Sequence, residues 1–345
     1  MKGQGGRLLV GTLLAAALLA LFFRGIDWSA LGQALRGARA LPLVGLVLVT
    51  LAVYSMRAWR WGDLLAPLGR VGYADLFSAT MVGFASGLLV PRAGELLRPF
   101  LVSRRYPIST SAGFATIILE RLVDLITVLA LFALYLFVLP APAAQVEGRL
   151  TDLIKLGGAG AGVGALVVLF FLLALHSNAE RVVGAVERLL ARTPRWVAEP
   201  LGRILQSFSE GLAVLRAPFP HLAKIAAQSL AIWLLIALGF HLNHQAFGID
   251  LPFHATFLLI AFLVVGVAIP TPGMVGGFHA FYLIALHQVF GIDKTTAAAA
   301  GIAAHALTNL PILVFGLALL GREGLSLGRL AAVTREEQKL SEVRP

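Results

Sequence analysis

Six charged residues interrupt two otherwise apolar stretches of this chain. Arg92, Glu95 and Arg98 follow one another at three-residue steps in GLLVPRAGELLRPFLVSRR (87–105), around Pro91 and Gly94. Glu120, Arg121 and Asp124 follow in LERLVDL (119–125). Glu120 and Asp124 stand four apart and share a helix face, and Arg121 stands three before Asp124. The six charges cancel. A charge at the centre of a bilayer costs about 2.5–3.5 kcal/mol on insertion scales, so the six cannot all face lipid. One reading is a paired network that only holds helices together. The other is a polar cavity. Guanidiniums bind phosphate through paired N–H groups, and the backbone opened by Pro91 and Gly94 adds half-helix ends suited to an anion. Irregular backbone at membrane depth is tolerated only inside protein or around water, which favours the cavity. The natural anion there is a lipid phosphate. Arg92, Arg98 and Arg121 would bind it, and Glu95, Glu120 and Asp124 would position them or pair with a cationic headgroup. A third reading makes Glu120 or Asp124 the general base of an intramembrane transferase.

The polar residues of the second half are milder: Thr271, His279, His287, His305 and Asn309. Histidine titrates near neutrality, so His279 is a candidate for substrate contact and admits a coupling ion or proton. His241 and His244 have helical spacing but no carboxylate near them in sequence, and no metal is expected. The sequence has no Cys, which excludes thiol chemistry and disulfides. No phosphate-binding loop, dinucleotide fingerprint, HExxH or nucleophile elbow is present, so no cofactor is expected. Transport would run on a gradient or downhill.

The surrounding elements must be membrane helices. Of the 345 residues 58% are apolar and only 13% charged, against about 25% in soluble proteins. The mean hydropathy is +0.85. The net charge of +10 reads as a topology signal and as attraction to anionic lipid; no nucleic-acid partner is expected. Apolar runs predict full spans near 8–23, 41–58, 112–139, 157–176, 222–247 and 296–320. Arg24 directly follows the first, with no small-residue cleavage signal, which predicts an uncleaved helix. Two further stretches, 75–103 and 254–290, are broken by VPRAG (90–94) and IPTPGMVGG (269–277). Gly87, Pro91 and Gly94 repeat as Gly266, Pro270 and Gly273, in the pattern G-x-x-x-P-x-x-G, and Pro272 and Gly276 extend the second break. Paired broken segments point to an internal repeat around a midplane site.

With both segments as re-entrant hairpins and the N-terminus inside, 20 Lys and Arg fall inside and six outside. The hairpins then enter from opposite sides. Residues 177–220 show an apolar face at Val182, Val183, Val186, Leu189 and Leu190, which reads either as amphipathic helix on the cytoplasmic surface or as a solvated linker. The expected fold is an all-α polytopic membrane protein with about six full spans plus two re-entrant helical hairpins in an inverted pseudo-repeat. One domain covers 1–320, a polar tail covers 321–345, and both termini are cytoplasmic in a bacterial or archaeal cell.

RAGELLR (92–98), ERLVD (120–124) and PTPGMVGG (270–277), in this order, resemble the transmembrane domain of lysylphosphatidylglycerol synthases and its stand-alone flippase-like relatives. The resemblance covers most of 8–320. It implies translocation of an anionic or aminoacylated phospholipid between leaflets; a carrier of polyprenyl-phosphate or hopanoid-type lipid is the alternative. A second copy of the chain is a candidate partner. Three departures stand out. Met274 replaces one of the family's paired glycines, His279 stands where a Glu is expected, and Pro91 sits closer to Arg92 than in the family pattern. Only about 25 residues follow 320, against the roughly 100–200 a domain needs, so no soluble aminoacyltransferase domain and no enzymatic activity are expected.

Overall fold

The computed structural model describes residues 2–89, 93–139, 210–269 and 271–322, with 156–160, 162–164, 166, 167, 170, 181 and 188. Pro91, Arg92, Pro270, most of the expected 157–176 span, most of the 177–220 segment and the tail after 322 lie outside these residues. Among the described residues every regular element is helical.

Helix α1 (Lys2–Phe23) turns by 88° into α2 (Trp28–Gly37). Asp27 caps α2 by accepting from the backbone N–H groups of Ser29 and Ala30. The long helix α3 (Ala40–Leu65) leads to a broken pair, α4 (Tyr73–Leu89) and α5 (Ala93–Ser103). Helix α6 (Thr110–Phe137) starts on Ser109, whose hydroxyl accepts from the Ala112 N–H. A 3₁₀ turn (Leu212–Arg216) precedes α7 (Phe219–Ala246). The second broken pair is α8 (Ala255–Ala268) and α9 (Gly277–Leu283), joined by a 3₁₀ turn (Pro272–Met274) and continued by a π-turn (Ile284–Val289). Helix α10 (Lys294–Arg322) closes the described chain.

Three helices, α3, α7 and α10, are long and apolar enough to cross a membrane, and the bent α1–α2 pair makes a fourth if it is one span. Helix α6 matches them in length but carries Glu120, Arg121 and Asp124 near its middle. Two features differ from the sequence expectation. Helix α2 had no counterpart in it. Helix α3 continues to Leu65 instead of stopping at 58, because Arg57 and Arg60 are buried against acidic partners. Arg57, Arg60 and Arg98, which are among the 20 cations that the expected topology puts inside, are interior residues.

Both broken pairs fold back on themselves through glycine. A Cβ on Gly94 would lie 2.1 Å from the Gly83 carbonyl oxygen, and one on Gly277 would lie 2.2 Å from that of Gly266. Such approaches admit no side chain. Adding 183 to a residue number carries Gly83 to Gly266 and Gly94 to Gly277. The same shift superposes α3, α4, α5 and α6 in sequence on α7, α8, α9 and α10, to within a turn at their starts. The packing repeats too: α4 lies on α10 as α8 lies on α6, and α5 lies on α6 as α9 lies on α10. This register is four residues from that of G-x-x-x-P-x-x-G, because backbone contact, rather than the Pro–Gly pattern, aligns the pairs. Gly87 would place a Cβ no nearer than 3.8 Å to any neighbour.

The equivalent helices α3 and α7 pack antiparallel. Gly45 meets Leu242, Gly239 meets Leu46, and at the other end Asp63 accepts from Lys224 and Gln228 at 2.7 Å each. The end of α4, short of the first break, also meets the second break. It touches the Pro272–Met274 turn, and Met274 packs on the buried cluster of Ala85, Leu88 and Ile312, as Tyr54 and Phe84 do. Met274 has φ 58, a left-handed conformation that costs a non-glycine residue about 1–2 kcal/mol. The family's glycine would sit there without strain; here methionine accepts it and fills the junction between α4 and the second break.

Candidate functional site

The first half contains a charged interior built from four helices. Arg57 and Arg60 come from α3, Arg98 from α5, Glu120, Arg121 and Asp124 from α6, and Ser229 and Trp233 from α7. Arg98 grips Glu120 with both terminal nitrogens, Nη1 to Oε1 and Nη2 to Oε2, each at 3.0 Å. Its guanidinium also stacks on Trp61, 4.4 Å from the ring centre. Arg121 Nη2 donates to the same Oε1 at 2.6 Å, and Arg60 Nη2 lies 3.7 Å from it. Asp124 takes Arg60 at 2.6 Å and Trp233 at 3.1 Å on Oδ1, and Arg57 at 3.1 Å on Oδ2. Arg60 Nη1 also donates to the Ser229 hydroxyl at 2.7 Å. Glu120, Arg60, Arg98, Asp124 and Arg57 are buried; the Arg121 side chain is 40% exposed and opens the cluster outward.

Four guanidiniums therefore meet two carboxylates. The six charges read from the sequence cancel, but the ion-paired cluster does not, because Arg57 and Arg60 join it. The Nε groups of Arg60, Arg98 and Arg121 and Nη2 of Arg60 are buried without a hydrogen-bond acceptor among the described residues. The guanidiniums of Arg57, Arg98 and Arg121 surround the Phe84 ring, with their central carbons 5.5–5.8 Å from its centre. Phe84 in turn sits edge-on to Tyr54, and both pack on the same buried cluster as Met274, so the charged cluster adjoins the second break.

The structure thus brings Arg98, Glu120, Arg121 and Asp124 together. Glu95 is exposed at the start of α5, outside the paired cluster, and Arg92 lies outside the described residues. Of the hairpin-shaping candidates, Gly94 and Gly266 make the close backbone contacts, Gly273 and Gly276 have φ of 62° and 92°, and Pro272 opens the 3₁₀ turn. His279 joins the other half: its ring lies 4.6 Å from that of His305 and against Phe22 and Phe278. His305 Nε2 bonds the Gly273 carbonyl oxygen at 2.9 Å, tying the second break to α10. His244 is buried in α7, and no group of three metal-ligating side chains occurs among the described residues. Sequence reasoning missed Arg57, Arg60, Phe84, Gly83 and Gly277. YSMRAWRW (54–61) carried a signal for the first two: arginines three apart, interleaved with aromatics, at the end of an apolar run.

The family described as the lysylphosphatidylglycerol synthase TM region matches residues 8–316. A protein named "Glycosyltransferase AglD" from Haloferax volcanii is 24% identical over 358 residues, covering 96% of this chain and 55% of that protein. A "UPF0104 membrane protein" from Methanothermobacter thermautotrophicus is 24% identical over 341 residues, covering 94% of this chain and 97% of that protein. This chain therefore spans about half of the Haloferax protein and nearly all of the Methanothermobacter one. On a match that runs through both broken pairs and every residue of the charged cluster, the chain belongs to the lysylphosphatidylglycerol synthase TM region family.

Proposed function

We propose that this membrane protein moves a phosphate-bearing lipid between the leaflets of the cytoplasmic membrane. The observation that carries the reading is the arginine excess, held beside the point where the end of α4 meets the turn of the second break. Guanidinium N–H groups in a low-dielectric interior are strong phosphate ligands. The breaks supply backbone that can rearrange around a headgroup.

The 183-residue shift, the exchanged packing of α4 and α8, and the antiparallel α3–α7 pair support an inverted repeat. Two equivalent helices that run antiparallel are related by an axis across them, which lies in the membrane plane when they span it. On this reading α4–α5 and α8–α9 are re-entrant hairpins that enter from opposite sides. Alternating exposure of one cluster to the two leaflets follows from exchanging the conformations of the two halves. A cytoplasmic N-terminus and C-terminal tail are supported by the excess of Lys and Arg on that side, which persists without the interior Arg57, Arg60 and Arg98.

A second reading takes its support from the relative named a glycosyltransferase. The charged cluster argues against an intramembrane transferase here. Every oxygen of Glu120 and Asp124 already accepts at least one hydrogen bond from an arginine, which holds both as paired carboxylates and favours a binding role over that of a general base. The test of translocation is loss of fluorescent phospholipid from the protected leaflet of liposomes containing the purified protein. Wild type is expected to equilibrate the leaflets and Arg121→Gln to slow it at least about tenfold. Wild-type protein that is folded but leaves the lipid in place counts against the proposal.

A further inference from the structure

A cavity of about 140 Å³ lies between α3, α7 and α10, beside the charged cluster but distinct from its ion pairs. Val49, Val53, Ile236, Gly239 and Phe240 form its apolar wall. Arg57 is the one charged residue among the described residues that line it. The hydroxyls of Thr50 and Thr308, also on the wall, donate to carbonyls of their own helices at 2.8 and 2.7 Å. They have no donor left for an anion, so Arg57, with the hydroxyl of Tyr54, makes the polar end. Its guanidinium is tied to Asp124 through Nη1.

The position of this cavity in the repeat sharpens its meaning. The 183-residue shift carries Val53 to Ile236 and Arg57 to Phe240, and all four line it. It therefore straddles the contact between equivalent helices. Where the repeat would supply a second cation, phenylalanine stands. One end is cationic and the other aliphatic and aromatic, which is the complement of an anionic amphiphile. The cluster behind Arg57 reinforces the sign. Four arginines against two carboxylates leave two positive charges, and counting exposed Glu95, which also acts on Arg121, leaves one. A headgroup with an added amine would bring further positive charge to a site already in excess.

The geometry points to this cavity as the seat of a net-anionic phosphate lipid, with the phosphate against Arg57 and the adjoining chain between α3, α7 and α10. The inference rests on the lipid-handling reading above and selects, within it, an anionic over an aminoacylated lipid. The test is calorimetric titration of the detergent-solubilised protein, in phosphate-free buffer, with four probes: dioleoyl phosphatidate, phosphatidylcholine, lysyl-phosphatidylglycerol and inorganic phosphate. Phosphatidate is expected to bind at least about tenfold tighter than either of the other lipids. Arg57→Gln and the cavity-filling Val49→Phe should each weaken phosphatidate at least about tenfold. Should Val49→Phe fail to fold, Thr308→Phe fills the same space from α10, where the side chain bonds only its own helix.

Equal affinity for the three lipids overturns the proposal, as does wild-type affinity in folded Val49→Phe or Thr308→Phe. Inorganic phosphate that binds as tightly as phosphatidate overturns the chain seat and leaves a free-anion site. Transport measured on the same proteins separates this inference from the broader reading. Selective, cavity-dependent binding without lipid movement upholds the seat and refutes translocation. Lipid movement with unchanged binding in the filled variants upholds translocation and refutes the seat.

Discussion

The first half, α3–α6, and the second, α7–α10, share one scaffold and differ in what fills it. Shifted by 183, Arg57 and Arg60 become Phe240 and Asn243, Arg98 becomes Phe281, and Glu120, Arg121 and Asp124 become Ala303, Ala304 and Leu307. Every member of the charged cluster has a neutral counterpart. In the second half Asn243 donates to the Tyr282 hydroxyl and the Ala300 carbonyl oxygen, both at 2.9 Å. The glycine contacts at 83–94 and 266–277 are kept in both. The backbone contacts define the fold, and the charges are an addition made on one side of it. That separation predicts different responses to matched substitutions.

The largest effect is expected from the charged half. Glu120→Ala leaves Arg60, Arg98 and Arg121 facing one another without their shared carboxylate. Removing one partner of a buried pair costs about 3–5 kcal/mol, so the detergent-solubilised protein should lose its thermal transition or melt far below wild type. Next come the two glycine contacts. Gly94→Ala and Gly277→Ala should destabilise to similar degrees, by about 1–3 kcal/mol or more, since each Cβ would strike a carbonyl. Gly87→Ala should be nearly silent. A large loss at Gly94 with none at Gly277 in thermal melts would break the equivalence of the halves.

Smaller effects sharpen the contrast. Asn243→Ala, the neutral counterpart of Arg60, should cost about 1–3 kcal/mol in the same melts, less than Glu120→Ala, because no charge is left unpaired. Met274 gives the smallest and most specific prediction. Met274→Ala keeps the left-handed backbone and loses the packing on the Ala85, Leu88 and Ile312 cluster, whereas Met274→Gly loses the packing but relieves the backbone. The glycine variant should therefore be more stable than the alanine variant by about 1 kcal/mol.

Much of this architecture is legible in the sequence. Runs of apolar residues locate α1, α3, α6, α7 and α10, and Pro and Gly locate both breaks, because membrane helices demand long apolar stretches and only breakers interrupt them. Four of the six charged residues singled out by spacing meet in one cluster. The end of α3 was not legible. An arginine at the end of an apolar run looks the same whether it reaches water or a buried carboxylate 67 positions away, as Arg57 does. The repeat's true register was equally hidden, since Gly83 and Gly277 gain meaning only from the backbone each faces. The strain at Met274 depends on φ, which its side chain does not announce.

The account needs the two halves to sit in the membrane in opposite senses, and the natural absence of cysteine makes this directly measurable. Single cysteines at exposed Arg70 and Arg104 flank α4–α5, and at exposed Asp250 and Gln288 they flank α8–α9. A membrane-impermeant maleimide applied to sealed vesicles of known orientation reads their sides. The expected result is that positions 70 and 104 label from one face and positions 250 and 288 only from the other. Labelling of 70 and 104 from opposite faces, or of all four from the same face, would contradict the inverted, re-entrant arrangement on which alternating exposure of the arginine cluster depends.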